Sequence, residues 1–233
     1  PDLARLFRSF ADVRQTDQLG FKLPELSGGQ ATVHLSPPTD QQLIVTDWAT
    51  ERVAGKHLHL PDGVRDPIVA ILHATRAASL HPATISDEIC ARWATSGHPN
   101  LSFDWDEPNP KLIEVADTVA GIYHRTANHA YTDSAVSGAA QVVFCDQGVP
   151  RPGSDRSVYH LVTTALVERG VDREHIAWVH DWPKPDMRQP LWDDVRNGNT
   201  RIVLGSTMQM GVGVNIQTRL YAAHELTAPY RPD

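Results

Sequence analysis

Arg201–Gln217 reads RIVLGSTMQMGVGVNIQ, and the reading of this stretch decides the fold. It opens with Arg201–Leu204, a short aliphatic block suited to a buried strand. Two small hydroxyl residues, Ser206 and Thr207, leave that strand, and a Gly-x-Gly follows at Gly211 and Gly213, with Asn215 behind it. Glycine lets backbone approach a phosphate or ribose with no Cβ in the way. Hydroxyls and free N–H groups at a turn bind phosphate oxygens. A bare Gly-x-Gly is more often a tight strand-to-helix turn without a ligand, so the surroundings must decide.

Working outward, the chain alternates. Lys111–His129 is expected as a long helix and Gln141–Cys145 (QVVFC) as a buried parallel strand. Asp146–Asp155, with two Pro and two Gly, is a loop. Val158–Arg169 is a helix stopped by Gly170, Ile176–His180 a strand, and Pro190–Asn197 a helix stopped by Gly198. After the strand Arg201–Leu204, Met208–Val214 forms a glycine-containing turn that opens a short helix, and Leu220–Leu226 is a last strand. This order predicts an α/β fold with an open, mainly parallel sheet flanked by helices. Such sheets take ligands at the carboxyl ends of their strands, so the loops after Cys145, His180 and Leu204 carry the interest.

Upstream of residue 110 the pattern is helical and irregular. Leu3–Leu19 is an amphipathic helix, broken after Pro24 by Gly28 and Gly29. Ala31–Leu35 alternates as a short strand would. Thr39 or Asp40 caps a helix over Gln41–Val53. Asp66–Leu80 is a second helix with Pro67 in its first turn, Ser86–Thr95 a third, and Gly97–Pro110 a loop. The expected division is therefore a helical extension over 1–110 and an α/β unit over 111–233.

The composition bounds the alternatives. With 233 residues, 41% hydrophobic and 21% charged, the chain suits a globular protein with one main core. No run reaches the ~18 apolar residues of a membrane span, and PDLARLFRSFADVR does not read as a signal peptide. The two cysteines, Cys90 and Cys145, form neither a CxxC nor a disulfide framework, so a reducing cytoplasm is the default. The sequence starts without Met at Pro1 and stops at Asp233 without a closing element, which reads as an excised piece. The net charge of −7 runs against an autonomous nucleic-acid binder, though not against a lobe that supplies part of a shared groove.

Several motifs are excluded. Ile216 stands where a dinucleotide fingerprint needs its third glycine, and GxxxxGK[ST] occurs nowhere. The twelve histidines have no HExxH or Cys/His pairing; His57, His59, His73 and His81 read as scattered surface or core residues. Asp104, Asp106 and Glu107 are read as a solvated loop, and Asp193–Asp194 as an acidic helix face. Ser154, Asp155 and His160 lack a GxSxG elbow. The tryptophans are read as core anchors, with Trp182, just past a strand end, the candidate for base stacking.

At this point a resemblance becomes specific. GSTMQMGVGVN resembles motif V of superfamily-two helicases, particularly the Swi/Snf-type branch, where a strand is followed by STxxxGxGxN. Other pieces fall in order. Asn109-Pro110-Lys111-Leu112 resembles the element that opens the second RecA-like lobe, and Gln141–Asp146 (QVVFCD) resembles motif IV. Ile176–Asp181 (IAWVHD) resembles the following strand, and His224–Asp233 (HELTAPYRPD) the approach to motif VI. Leu6–Leu26 resembles the connector between lobes in large phage- and plasmid-associated helicases, which often also carry an adenine-specific DNA methyltransferase domain.

The resemblance implies a RecA-like second motor lobe over 111–233, truncated at motif VI, with an interlobe connector and helical extension over 1–110. It implies that Ser206, Thr207 and Lys111 contact a DNA backbone. Gly211, Gly213 and Asn215 would line the interlobe nucleotide cleft, and Arg201 would be a further phosphate or interlobe contact. No catalytic residue, metal ligand or cofactor is expected in this chain. ATP and magnesium belong to the intact parent, whose first lobe would be the partner, and the DNA would be duplex and read without sequence preference. Two rivals stand beside this reading: a non-catalytic helicase-like interaction module, and a stand-alone nucleotide-binding α/β domain.

Overall fold

Of the two expected caps, Thr39 and Asp40, it is Thr39 that begins the first described helix. Its hydroxyl accepts from Gln42 N (3.2 Å) while the Gln42 side chain accepts from Thr39 N (2.9 Å), a reciprocal capping box. The computed structural model in which this is seen describes residues 25–54, 68–85, 90, 102–132, 134–151, 153–210 and 214–227. The expected helices Leu3–Leu19 and Ser86–Thr95 lie outside the described residues, apart from Cys90, which is helical.

The chain divides into two compact units, Pro1–Leu35 and Ser36–Asp233. Of the first, residues 25–35 are exposed, with one turn closed by Gly29 N donating to Leu26 O (2.8 Å). The strand expected over Ala31–Leu35 is irregular chain instead. Alternation alone makes no strand without a neighbour to satisfy its ladder.

The second unit begins with helices α1 (Asp40–Val53) and α2 (Ile68–Leu80). They bury Val45, Trp48, Ala49, Ile71, Ala74, Ala77 and Ala78 in a small core of their own. Helix α3 (Pro110–Arg125) starts where Asn109 Oδ1 accepts from Lys111 N and Leu112 N, with Pro110 in its first turn. It ends at Arg125, four residues short of the expected end, with Thr126 as its cap. There the Thr126 hydroxyl donates to Ile122 O.

Then follow β1 (Ala140–Phe144), α4 (Val158–Glu168), β2 (Ile176–Trp178), α5 (Gln189–Asn197), β3 (Ile202–Gly205), the single turn α6 (Thr207–Met210) and β4 (Leu220–Glu225). The four strands form one all-parallel open sheet, in the order β2-β3-β1-β4. Gly170 and Gly198, at φ +80° and +88°, stop α4 and α5 as the sequence predicts. β2 is shorter than expected. Val179, 0% exposed, turns inward on a 3-10 turn over Val179–Asp181, because the only β2 neighbour among the described strands is β3, over three residues.

Alternation along the strands separates two cores. Val143, Cys145, Ile202 and Leu204 face α3 and α4, joining Leu112, Val119, Val162 and Leu166. Ala140, Val142 and Val203 face the opposite way, toward Leu191, Trp192 and Val195 of α5 and Met210 of α6. The sheet is thus covered on both faces, as parallel sheets require. No described helix is long and apolar enough to cross a membrane.

Candidate functional site

The two central strands, β1 and β3, part company at their carboxyl ends. β1 runs into α4 on the first core, whereas β3 runs into α6 on the second. In open α/β sheets such a divergence marks the topological switch point, the crevice at which ligands are taken. Asp146 leaves β1 there, and Ser206 and Thr207 leave β3.

The crevice is tightly bound together. Cys145 N donates to Gly205 O (2.9 Å) and Leu226 N to Phe144 O (3.0 Å), so the exits of β3, β1 and β4 are aligned. Asp146 N reaches Thr227 Oγ1 (3.4 Å). The Asp146 carboxylate then takes both donors of Thr207: the backbone N–H on Oδ1 (2.7 Å) and the hydroxyl on Oδ2 (3.2 Å). Arg76 of α2 meets Oδ2 from the other side at 3.3 Å. The two side chains are about one-fifth exposed, so this pair lies between surface and interior. The Glu225 carboxyl, at the end of β4, is held above its usual range by burial first and by the charge of Asp146 second.

Ser206 faces a different partner. Its hydroxyl meets Gln209 Oε1 at 3.2 Å, and its N–H reaches the same oxygen at 3.4 Å. Gly205 explains how α6 closes so tightly: a Cβ there would sit 2.7 Å from the Met210 sulfur. Thr207 thus meets the exit of β1 while Ser206 is engaged by its own turn, and each has its donors met from within the chain.

Lys111 reaches the neighbouring end of β1. It is half-buried, with Nζ 3.5 Å from Ser79 O, and burial lowers its ammonium pKa while the nearby Cys145 thiol opposes that shift. Asn215 is exposed, and its carbonyl accepts from Arg196 (2.8 Å). Gly211 and Gly213 lie outside the described residues. Arg201 corrects its expectation as a phosphate contact. It is 5% exposed at the amino end of β3, donating to Tyr123 O, Thr126 Oγ1 and Ala139 O, with its guanidinium 3.9 Å from the Tyr123 ring. Trp182, the base-stacking candidate, packs against the second core.

No family model, curated protein or solved structure matches this chain. The reading of the site thus rests on its own geometry.

Beside the crevice, the loop from β1 to α4 frames a cavity of about 230 Å³, lined in part by Trp105, Arg151, Arg156, Ser154 and Ser157. Arg156 pairs with exposed Asp106 at 3.6 Å. Ser157 caps α4 and bonds His160, so this serine is structural. Among the described residues no group of three His, Cys, Asp or Glu could hold a metal.

Sequence reasoning placed Ser206 and Thr207 at this edge but missed Asp146, Arg76 and Gly205. The signal for Asp146 was present: a carboxylate directly after a central parallel strand. Arg76 had none, because it sits mid-helix in a different segment.

Proposed function

We propose that the chain is the second motor lobe of a DNA-dependent ATPase of the helicase or translocase kind. It supplies sequence-independent contacts to a DNA backbone and one wall of an ATP cleft closed by a facing first lobe. One observation carries this reading: the GSTMQM segment leaves the inner strand β3 at the switch point, where Thr207 meets Asp146 at the exit of β1. The motif resemblance and this placement agree, although periodicity alone would fit an unliganded turn. Arg151 brings positive charge to the cavity beside this edge, where Arg156 is paired with Asp106.

ATP and magnesium fall to the facing lobe, since the full sequence has no GxxxxGK[ST] to cradle phosphates. None of the residues at the crevice is assigned a catalytic step. Their role is to hold phosphate-facing donors in register while the cleft opens and closes.

The test has two arms. This chain alone should turn over no ATP and bind duplex DNA weakly, with a loss on adding salt. In a polypeptide that carries both lobes, Thr207→Ala should lower DNA-stimulated ATP hydrolysis while leaving the native fold intact. Unchanged stimulation removes Thr207 from the proposed role. Nucleotide binding by this chain alone in calorimetry favours a stand-alone nucleotide-binding domain instead.

A further inference from the structure

The donors that a DNA phosphate would need on Thr207 are already taken by an anion, and that anion belongs to the chain. We propose that Asp146 is an internal counter-anion governing phosphate access to Thr207, and that Arg76 is the positioning residue that holds it there. The proposal rests on reading Thr207 as a backbone contact.

The geometry is specific. Both carboxylate oxygens are committed: Oδ1 to the Thr207 N–H at 2.7 Å, and Oδ2 to the Thr207 hydroxyl at 3.2 Å and to Arg76 Nη2 at 3.3 Å. A backbone N–H and a hydroxyl on one residue are the donors with which proteins hold phosphate oxygens. Two anions cannot occupy them together, so a strand phosphate must displace Asp146. Glu225 adds carboxylate character on the β4 side and is itself influenced by Asp146. Displacement leaves Asp146 to Arg76 alone. Arg76 lies on α2, seventy residues earlier, so the helical segment sets how readily the donors are released.

The experiment uses this chain and a short fluorescein-labelled duplex, titrated by anisotropy at several salt concentrations. Asp146→Asn keeps the size of the side chain and an acceptor for the Thr207 N–H, but removes the charge. It should tighten duplex binding by about tenfold and steepen the salt dependence by about one unit of slope. Thr207→Ala in the same background removes the hydroxyl but keeps the N–H, and should diminish the gain. A merely structural role would move neither the slope nor its dependence on Thr207.

Unchanged or weaker binding by natively folded Asp146→Asn overturns the proposal, and so does a gain that Thr207→Ala leaves undiminished. In either case, wild-type binding that still weakens with Thr207→Ala leaves the motor-lobe reading standing. If Thr207→Ala changes nothing in either background, that reading falls and the proposal with it. Should Asp146→Asn lose its native spectrum, the wild-type chain decides. The Asp146 carboxyl carbon resonance should shift on adding duplex together with the Thr207 amide, and a Thr207 shift without movement of Asp146 overturns the clasp.

Discussion

Replacing Arg201 by methionine separates a structural arginine from a DNA-contacting one. Arg201 is 5% exposed and donates to Tyr123 O at 2.7 Å, Thr126 Oγ1 at 3.2 Å and Ala139 O at 3.3 Å. Methionine fills much of the same volume but donates nothing, so those contacts end and buried carbonyls lose their partner. Hydrogen bonds from a charged donor contribute about 1.5–3 kcal/mol each, and three at the low end give about 4–5 kcal/mol. The guanidinium also had to be desolvated; removing that cost returns about 1–2 kcal/mol. Arg201→Met should therefore cost about 3 kcal/mol. For a chain of this length that lowers the melting temperature by about 6–12 °C. A urea titration followed by tryptophan fluorescence should show a lower midpoint at unchanged slope. Duplex affinity per folded molecule should stay the same. A loss under about 1 kcal/mol, or weaker DNA binding at equal folded fraction, refutes the structural assignment.

Other outcomes follow from particular groups. His81, 1% exposed and stacked on Trp105, has its imidazole pushed down to about 4 by burial, against the opposing charge of Asp104. A base whose folded pKa is depressed contributes fully above its unfolded value near 6.5 and progressively less as pH falls toward 4. Denaturation at several pH values should find up to about 3 kcal/mol lost across that window, and His81→Gln should remove this part of the slope. Gly198→Ala should cost about 1–3 kcal/mol in the same titration, since φ there is +88° and the new Cβ would sit 2.5 Å from Arg219 Nη1. The Cys145 thiol, fully buried and raised to about 12 by that burial, should resist iodoacetamide in the native protein and react once unfolded.

Local physics made most of the fold legible. A cap at Thr39 or Asp40 places the start of α1, Asn109-Pro110 opens α3, and Gly170 and Gly198 stop two helices by adopting a conformation other residues avoid. The aliphatic runs at β1 and β3 are buried on both faces, which a continuous apolar block signals directly. The failures share a cause. Ala31–Leu35 alternates but has no strand to pair with, and β2 ends early because a central neighbour supports it on one side only. Arg201 looked like a phosphate ligand because arginine at a motif boundary often is one. What decides its role is the carbonyl end of α3, 78 residues away. The clasp at Asp146 joins three segments separated by 61 and 70 residues, and no local window contains it.

The clasp also bears on the acidic balance, which ran against a DNA-facing lobe. A net charge of −7 describes the whole chain, whereas phosphate contact depends on the few groups at one edge. At the exit of β1 those groups are mixed: Asp146 and Glu225 on one side, Arg76 and half-buried Lys111 on the other. With Asp146 seated on Thr207, its charge is spent on internal donors and on Arg76, and the edge offers little to a phosphate. If the carboxylate swings away, the same edge presents an N–H and a hydroxyl. Under the proposed motor-lobe reading, weak binding by the isolated chain and productive contact in a closing cleft would correspond to two positions of this one side chain.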